Sequence, residues 1–562
     1  MNLKLCCWAM GVSLLLTASA VLVAADDSAR LDESPPQPIA TIRLTGLQRV
    51  LNDIRDLAQD ADRPGISVFI DRILEIGNQL QGIDRRRAVS LEVFLDAEPA
   101  ASGTPETPPQ VRVCFPLTDL AELQLTTDRL GWSWSKDTQD RYRIARRNER
   151  ELFAIVQTNA DQQQWVIVSE NQSLVGLTTS ATDSVDVAAL PDLTFTIRFD
   201  RLSPVRRQQA LDKLHQDAQR DRQRRDEESD AQYQLRLDLQ AMMEQGLELV
   251  LTETTQVQFR GNLLPTTAGG VHGLEVEADW SVRSDGRLAA FLPSLAPQSV
   301  QLPRATAPGA ALRANAAISL PARLTELLLR GVELGRAKVT NDLVSLPQDV
   351  QQQVLGMFDT FAATVGERTE ELCVQFVPAD GHLALLAGVR LEEGNELAQA
   401  LPLILQEATK SPRVHSVDVD FTTIRGAAFH RVRGNPLRKV DEYLYGPGAI
   451  LLTGATQDAL WVMIGGNQVD ELCEPLLERG DTSLQSVPLV DIEWHAKPWL
   501  PIAAVAPRTQ QAAEVLQSAL SAEEHDAIRG KLHVRKAGIS ASVSVDRPFV
   551  TLFVRRIPKP GQ

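Results

Sequence analysis

One stretch of this chain is written twice. Residues 165–172 read Trp165-Val166-Ile167-Val168-Ser169-Glu170-Asn171-Gln172, and residues 461–468 read Trp461-Val462-Met463-Ile464-Gly465-Gly466-Asn467-Gln468, 296 positions later (461 − 165). Each copy has the form of a short buried strand that turns at its polar Asn-Gln pair into a helix, with Asn171 and Asn467 placed to cap it. A repeat separated by a little over half the chain constrains the fold, because whatever surrounds one copy should surround the other.

The surroundings do repeat in order. In the first half Ile39–Leu44 alternates as a strand, and Thr45 with Gln48 forms a capping-box pattern before a helix carrying Leu47, Val50, Leu51, Ile54, Leu57, Ala58 and Ala61 on its apolar stripe. A second amphipathic helix runs through Ile66, Phe69, Ile70, Ile73, Leu74 and Leu80, and then Val89–Leu95 and Val111–Phe115 form a hairpin across the Pro/Thr/Ala-rich loop 97–110. In the second half 314–320 is a strand, Pro321 opens a helix with Leu324, Leu327, Leu328 and Leu334, and Ser345 with Pro347 opens another with Val350, Val354, Phe358, Phe361 and Val365. Leu372–Phe376 and Leu383–Leu391 then form a hairpin about Asp380-Gly381.

Beyond the Trp stretches, Leu193, Phe195, Ile197 and Phe199 answer Val490, Ile492 and Trp494. A densely charged helical segment at 204–246 has a shorter counterpart from Pro507 to about Gly530. Each half is expected to close on strands, Leu247–Leu263 with Gly273–Val282 and Lys531–Val545 with Phe549–Arg556. The expected fold is α+β, in two similar halves. Each is a mostly antiparallel sheet with amphipathic helices packed on one side of it: a first unit over 39–292, a Pro/Ala-rich linker over 293–311, and a second unit over 312–557.

The N-terminus carries the pattern of an export signal over 1–25. Lys4 is its only charge, Cys6–Ala25 is uncharged, and small-residue cleavage patterns stand at Ala18-Ser19-Ala20 and Val23-Ala24-Ala25. An acidic, proline-containing leader, 26–38, follows. The expected destination is periplasmic or extracellular; the alternative is an uncleaved anchor, since about 20 apolar residues just span a bilayer, and membrane contact is expected only in that case. Removing 1–25 would take the formal charge from −16 to −17, and a chain this acidic repels phosphate backbones, so nucleic acid is not an expected partner. With 43% hydrophobic and 23% charged residues the chain can bury sizeable cores without a disulfide framework; Cys114, Cys373 and Cys473 are read as three separate thiols.

This layout, an export signal ahead of two α+β halves that carry the Trp165 and Trp461 stretches, resembles the large exported proteins of unknown function found in planctomycete-type bacteria. The resemblance covers most of the mature chain and implies no activity, cofactor or site residue.

The search for chemistry returns little. His415, Asp418 and Asp420 are near neighbours, but in a regular strand the two carboxylates point away from the histidine, so no metal site is expected. Gly538-Ile539-Ser540-Ala541-Ser542 lacks the final glycine of a serine elbow and lies in an alternating strand. Gly446-Pro447-Gly448 and Gly465-Gly466 lack the lysine and hydroxyl of a phosphate loop. Arg220, Arg222, Arg224 and Arg225 interleave with Asp217, Asp221, Asp226, Glu227 and Glu228, the pattern of a solvated helix face. No cofactor, metal or catalytic residue is assigned. The residues singled out are the repeated Trp165, Asn171, Gln172, Trp461, Asn467 and Gln468, with both tryptophans expected in buried, equivalent strand positions. The functional expectation is a non-catalytic protein that binds a small ligand or an envelope partner in an aliphatic and aromatic cleft between the halves. A hydrolase whose site is assembled only in the fold is the alternative.

Overall fold

The computed structural model describes residues 36–555 except 77, 96–108, 139, 147–150, 160, 178–190, 221, 226–227, 265, 268–269, 298–299, 301, 303–308, 343–347, 367–368, 393, 435–438, 467, 473–486, 506–508 and 521–524. The export signal, most of the acidic leader, Asn467 and Cys473 therefore lie outside the described residues. The first half runs β1 (Ala40–Leu44), α1 (Leu47–Asp60), α2 (Pro64–Ile76), β2 (Val89–Phe94), β3 (Gln110–Leu117), α3 (Leu120–Arg129), β4 (Trp132–Thr138), β5 (Arg141–Arg146), β6 (Leu152–Thr158), β7 (Gln164–Ser169), α4 (Gln172–Val175), β8 (Leu193–Arg198), α5 (Pro204–Arg220), α6 (Asp230–Glu253), β9 (Thr254–Leu263), β10 (Gly270–Val282) and α7 (Arg287–Phe291).

The second half runs β11 (Leu312–Ser319), α8 (Ala322–Asp342), α9 (Gln348–Gly366), β12 (Thr369–Ala379), β13 (His382–Arg390), α10 (Gly394–Ala408), β14 (Val414–Ile424), β15 (Ala427–Gly434), α11 (Lys439–Tyr445), β16 (Ile450–Ala455), β17 (Ala459–Gly465), β18 (Val490–His495), α12 (Leu500–Val505), α13 (Gln510–Leu520), β19 (Ala527–Arg535), β20 (Gly538–Asp546) and α14 (Arg547–Arg555). The chain is a mixed α+β protein, and every strand pairing among the described residues is antiparallel.

The strands form one sheet in the order β4-β5-β6-β7-β3-β2-β1-β8-β9-β10, continuing through the β10–β20 pair into β20-β19-β18-β11-β12-β13-β17-β16-β15-β14. Read outward from that central pair, the two sides pass through their strands in the same order. The ends of β8 and β18 are tied alike: Thr45 N–H donates to the Asp192 carbonyl and Arg198 N–H to Ile39, while Ala317 N–H donates to Leu489 and His495 N–H to Ala311. The outer strands β4 and β14 are both irregular, with register shifts at Lys136/Thr138 and at Asp418/Thr422, which blunts an edge that could template further pairing.

Several local expectations give way to tertiary context. Thr45 does not cap α1; its side chain is buried, and Gly46 stands at the N-cap in a left-handed conformation at φ 75°. Residues 247–253, expected in a strand, continue α6, and the segment 204–246 becomes a hairpin of two helices with Ser229 capping the second through a reciprocal bond with Gln232. Phe549–Arg555 is helix rather than strand. Between Val505 and Gly530 the described residues hold the separate α13 and the start of β19, in place of one helix. Helices also lie on both sheet faces: Leu123 of α3 packs with Ala154 and Val166, whereas Val175 of α4 packs with Cys114 and Ile167 on the opposite side.

The helices exchange partners between the halves. α6 of the first half packs on α8 of the second, which packs on α9; α14, at the end of the second half, packs on both α13 and the first-half α1. Arg330 Nη1 bridges to Asp238 at 2.7 Å across α8 and α6, and Arg547 pairs with Asp60 across α14 and α1. Among the described residues no helix is long and apolar enough to cross a membrane.

Candidate functional site: an apolar groove where the halves meet

Alternation gives the middle of the sheet two unlike faces. One row of directly opposed residues reads Leu91, Ile42, Phe195, Phe259, Ala278, Ala541, Leu532, Val490, Ala316, Leu372 and Val389, apolar across eleven strands. A row displaced by one residue reads Arg112, Glu92, Thr41, Thr196, Gln258, Asp279, Ser540 and His533. The apolar face is covered at its outer ends, by α3 on one side and by α9 with α10 on the other. Towards the middle Ile42, Leu193, Leu372, Val389, Ile492 and Val543 remain 38–45% exposed.

The helices that meet across the halves leave a groove of about 400 Å³. Leu235 and Leu239 line it from α6, Leu327, Leu328, Gly331, Val332 and Gly335 from α8, and Phe358 and Phe361 from α9. No lining residue carries a polar side chain. The spacing explains the shape, because residues three and four apart share a helix face: α6 contributes i and i+4, α9 i and i+3, and α8 a stripe along two turns. The two glycines lower the floor of the groove. A Cβ at Gly335 would come 3.3 Å from the Phe358 ring, and one at Gly331 3.9 Å from Leu235.

The ionisable groups are arranged differently. His495 sits between two carboxylates, with Nδ1 2.8 Å from Asp526 and Nε2 3.4 Å from Glu493. Asp526 also accepts the Lys497 N–H at 2.7 Å, and Glu493 accepts Arg529 Nε at 2.8 Å. This resembles the base and orienting acid of a nucleophilic site, but the outer imidazole nitrogen faces a carboxylate where catalysis needs a hydroxyl or thiol. His430 is buried, and its Nδ1 accepts the Asp420 N–H at 3.0 Å, so burial holds its pKa below the usual imidazole value.

That contact corrects the reading of 415–421 as a regular strand. The irregularity at Asp418/Thr422, with Asp420 at φ 53°, turns Asp420 towards His430, and Asp418 pairs with Arg431 at 2.6 Å. His415 is left exposed. Cys114 and Cys373 are buried thiols in separate halves, not joined in a disulfide, and burial pushes the Cys373 thiol up to about 11, which makes it a poor nucleophile. Among the described residues no group of three or more His, Cys, Asp or Glu side chains is arranged to hold a metal ion.

Trp165 and Trp461 are both buried, in β7 and β17. Trp165 is opposed by Pro116 and Gln157, Trp461 by Gly388 and Gly454. Asn171 caps α4, accepting the Ser173 N–H at 2.9 Å, with Gln172 as the first helical residue. Gln468 is exposed and lines a second hollow, of about 270 Å³, with Asp380, His382 and Tyr445 at the tip of the β12–β13 hairpin. None of the described repeated residues lines the groove. Its residues are only partly legible in the sequence: Leu327, Leu328, Phe358 and Phe361 belong to expected helix stripes, whereas Leu235, Leu239, Gly331, Val332 and Gly335 belong to no expected site, and the spacing of four in 235/239 and 331/335 is the signal that could have found them. No family model matches this chain, and no curated protein or solved structure is detectably similar to it.

Proposed function

We propose that the chain is an exported, non-catalytic binding protein that takes an apolar ligand or the apolar face of an envelope partner between its halves. The observation that carries this reading is the groove of α6, α8 and α9, whose lining is wholly aliphatic and aromatic. A monomeric protein seldom leaves such surface open without use for it, and the volume falls within the roughly 300–1,000 Å³ of ligand sites. The half-exposed apolar strip along the middle of the sheet supports the same reading. We infer further that residues 39–292 and 312–557 are copies of one ancestral unit, since β1–β10 and β11–β20 take the same neighbours in the same order, the two-residue strand Thr266–Thr267 being an addition to the first half. Export rests on the pattern of residues 1–25 alone.

The test uses an apolar fluorescent dye titrated against the folded mature chain. Saturable binding is expected, weakened at least about tenfold by Leu328→Asp, a change tolerable in a side chain that is already 41% exposed. Dye binding indifferent to Leu328→Asp would remove the groove from the account. The hydrolase reading has one favouring observation, the His495–Asp526 contact. A hydrolase screen in which turnover disappears with Asp526→Asn, while the protein stays folded, would replace the binding proposal.

A further inference from the structure

Apart from the groove, we propose that the second hollow, at the tip of the β12–β13 hairpin, binds a small primary ammonium compound with an apolar body. The hollow measures about 270 Å³. That is just under the roughly 300 Å³ at which drug-sized ligand sites begin, so its occupant is small. It owes nothing to the meeting of the halves, because its lining comes from β12, β13, α11 and the turn that follows β17, all in the second half. The first half has no equivalent of α11. Only five positions, 147–151, separate β5 from β6, against fifteen, 435–449, between β15 and β16. α11 packs on β13 and closes one side of the hollow.

Local geometry fixes the polar groups. Asp380 and Gly381, at φ 49° and 79°, make a two-residue turn that sets Ala379 opposite His382. Gly446 ends α11 at φ 88°, its N–H on the Glu442 carbonyl at 2.9 Å, and a Cβ there would come 3.0 Å from the His382 ring. The imidazole is thus held against the helix end. Its Nδ1 lies 3.2 Å from the Tyr443 carbonyl, and a carbonyl only accepts, so Nδ1 carries the proton and Nε2 is an acceptor. Beyond that bond, and among the described residues, the side chains of Asp380, His382, Tyr445 and Gln468 make no hydrogen bond or ion pair. The Asp380 carboxylate and His382 Nε2 can only accept, and the Gln468 amide oxygen accepts too. Burial, and then Asp441, push the Tyr445 phenol up, so its hydroxyl keeps its proton. An occupant must therefore bring N–H donors, and an ammonium brings three together with a charge. The stretches that build the hollow, 379–384, 439–447 and 465–472, carry Asp380, Asp441, Glu442, Asp470 and Glu471 against Lys439, a balance that attracts a cation. Leu383, Pro447, Val469 and Leu472 supply walls for the apolar body.

The experiment titrates the full mature chain calorimetrically with 2-phenylethylamine at pH 7. Two probes run alongside: 3-phenylpropionate, which has a similar body and the opposite charge, and ethylamine, which has the charge without the body. The expected result is saturable binding of 2-phenylethylamine, at least about tenfold tighter than either of the others. Asp380→Asn should weaken it about tenfold, and asparagine tolerates the left-handed turn position, so the hairpin survives. Gln468→Ala, at an exposed site, should weaken it by less and decides the matter if Asp380→Asn unfolds. Leu328→Asp, in the groove, should leave it unchanged. Equal binding of 3-phenylpropionate, no binding of the amine, or amine binding untouched by both hollow variants would overturn the proposal. Amine binding lost in Leu328→Asp alone would also overturn it, by moving the amine to the groove, and would leave the apolar-binding reading standing. The converse, amine binding lost in Asp380→Asn while apolar dye ignores Leu328→Asp, would uphold this site and remove the groove.

Discussion

Trp165 and Trp461 occupy matching strands of the two halves, yet the molecule buries them by different means. The Trp461 ring lies against Gly388, which has no side chain: a Cβ there would come 2.5 Å from the ring, and Gly454 opposes Trp461 on the other side. It belongs to the largest apolar cluster among the described residues, with Leu386, Phe429, Leu452 and Met463. Trp165 has Pro116 and Gln157 as its opposed neighbours, three other buried residues (Cys114, Ile167 and Val175) in its cluster, and the Arg87 guanidinium 4.4 Å above its ring. The same backbone pairing thus admits two packing solutions, a dry one built on glycine and one closed by a cation. Strand order is set by which backbones pair, and the interior is refilled locally around it.

The sharpest way to break this comparison is to remove both rings. Trp461→Ala should cost about 3–5 kcal/mol, because the surrounding cluster cannot collapse into the space, and Trp165→Ala should fall at or below the lower end of that range. Urea unfolding of the two variants measures the difference; equal losses would mean that the clusters are equally rigid. Next in size is Gly388→Ala, expected to cost about 1–3 kcal/mol by forcing the Trp461 ring aside, whereas Pro116→Ala at the matching site should change stability by less.

A third contrast concerns charge at the ends of β8 and β18. The backbone bond accepted by Asp192 in one half is accepted by Leu489 in the other, so a carboxylate stands at this point of the first half where the second has an aliphatic side chain. Asp53 stands beside buried Asp192 and Arg49, and its carboxyl is pushed up to about 6, first by burial and then by Asp192. Its folded value lies above the ordinary aspartate value, so between about pH 4 and pH 6 the folded state holds the extra proton. Stability should therefore fall as pH rises through that window. Asp53→Asn should flatten this dependence by roughly 1 kcal/mol, read as the difference between unfolding midpoints at pH 4 and pH 7. An unchanged slope would place the titration elsewhere. The smallest effect is expected from Arg87→Ala, about 0.5–1 kcal/mol for the lost contact with the Trp165 ring, which has no counterpart over Trp461 among the described residues.

The sequence carried the strands whose apolar residues alternate, such as Val89–Phe94 and Gly538–Asp546, and the helices with a clear stripe, such as Leu47–Asp60. What it left unread is decided by contacts between distant segments. Residues 247–253 continue a helix because Leu249 and Val250 pack with Leu288 and Leu292, and Glu253 then receives the Leu288 N–H at 2.6 Å. Phe549–Arg555 coils because its partners are α1 and α13 rather than a free strand edge. The groove was hidden for the same reason. Leu235 and Gly331 are ordinary helix residues until the halves meet, and nothing local to either states that α6 will lie on α8.

All of this depends on the halves being joined through β10 and β20, where Leu274–Ser281 lie opposite Gly538–Val545. Native-state hydrogen exchange on the full chain tests that junction directly. The account predicts that the paired amides within Glu275–Ser281 and Ile539–Val545 exchange as slowly as those of β13 and β17 in the second-half core, and that they lose protection together. Rapid exchange along both strands, with β13 and β17 still protected, would show two halves that meet only loosely, and would contradict the continuous sheet on which the groove is built.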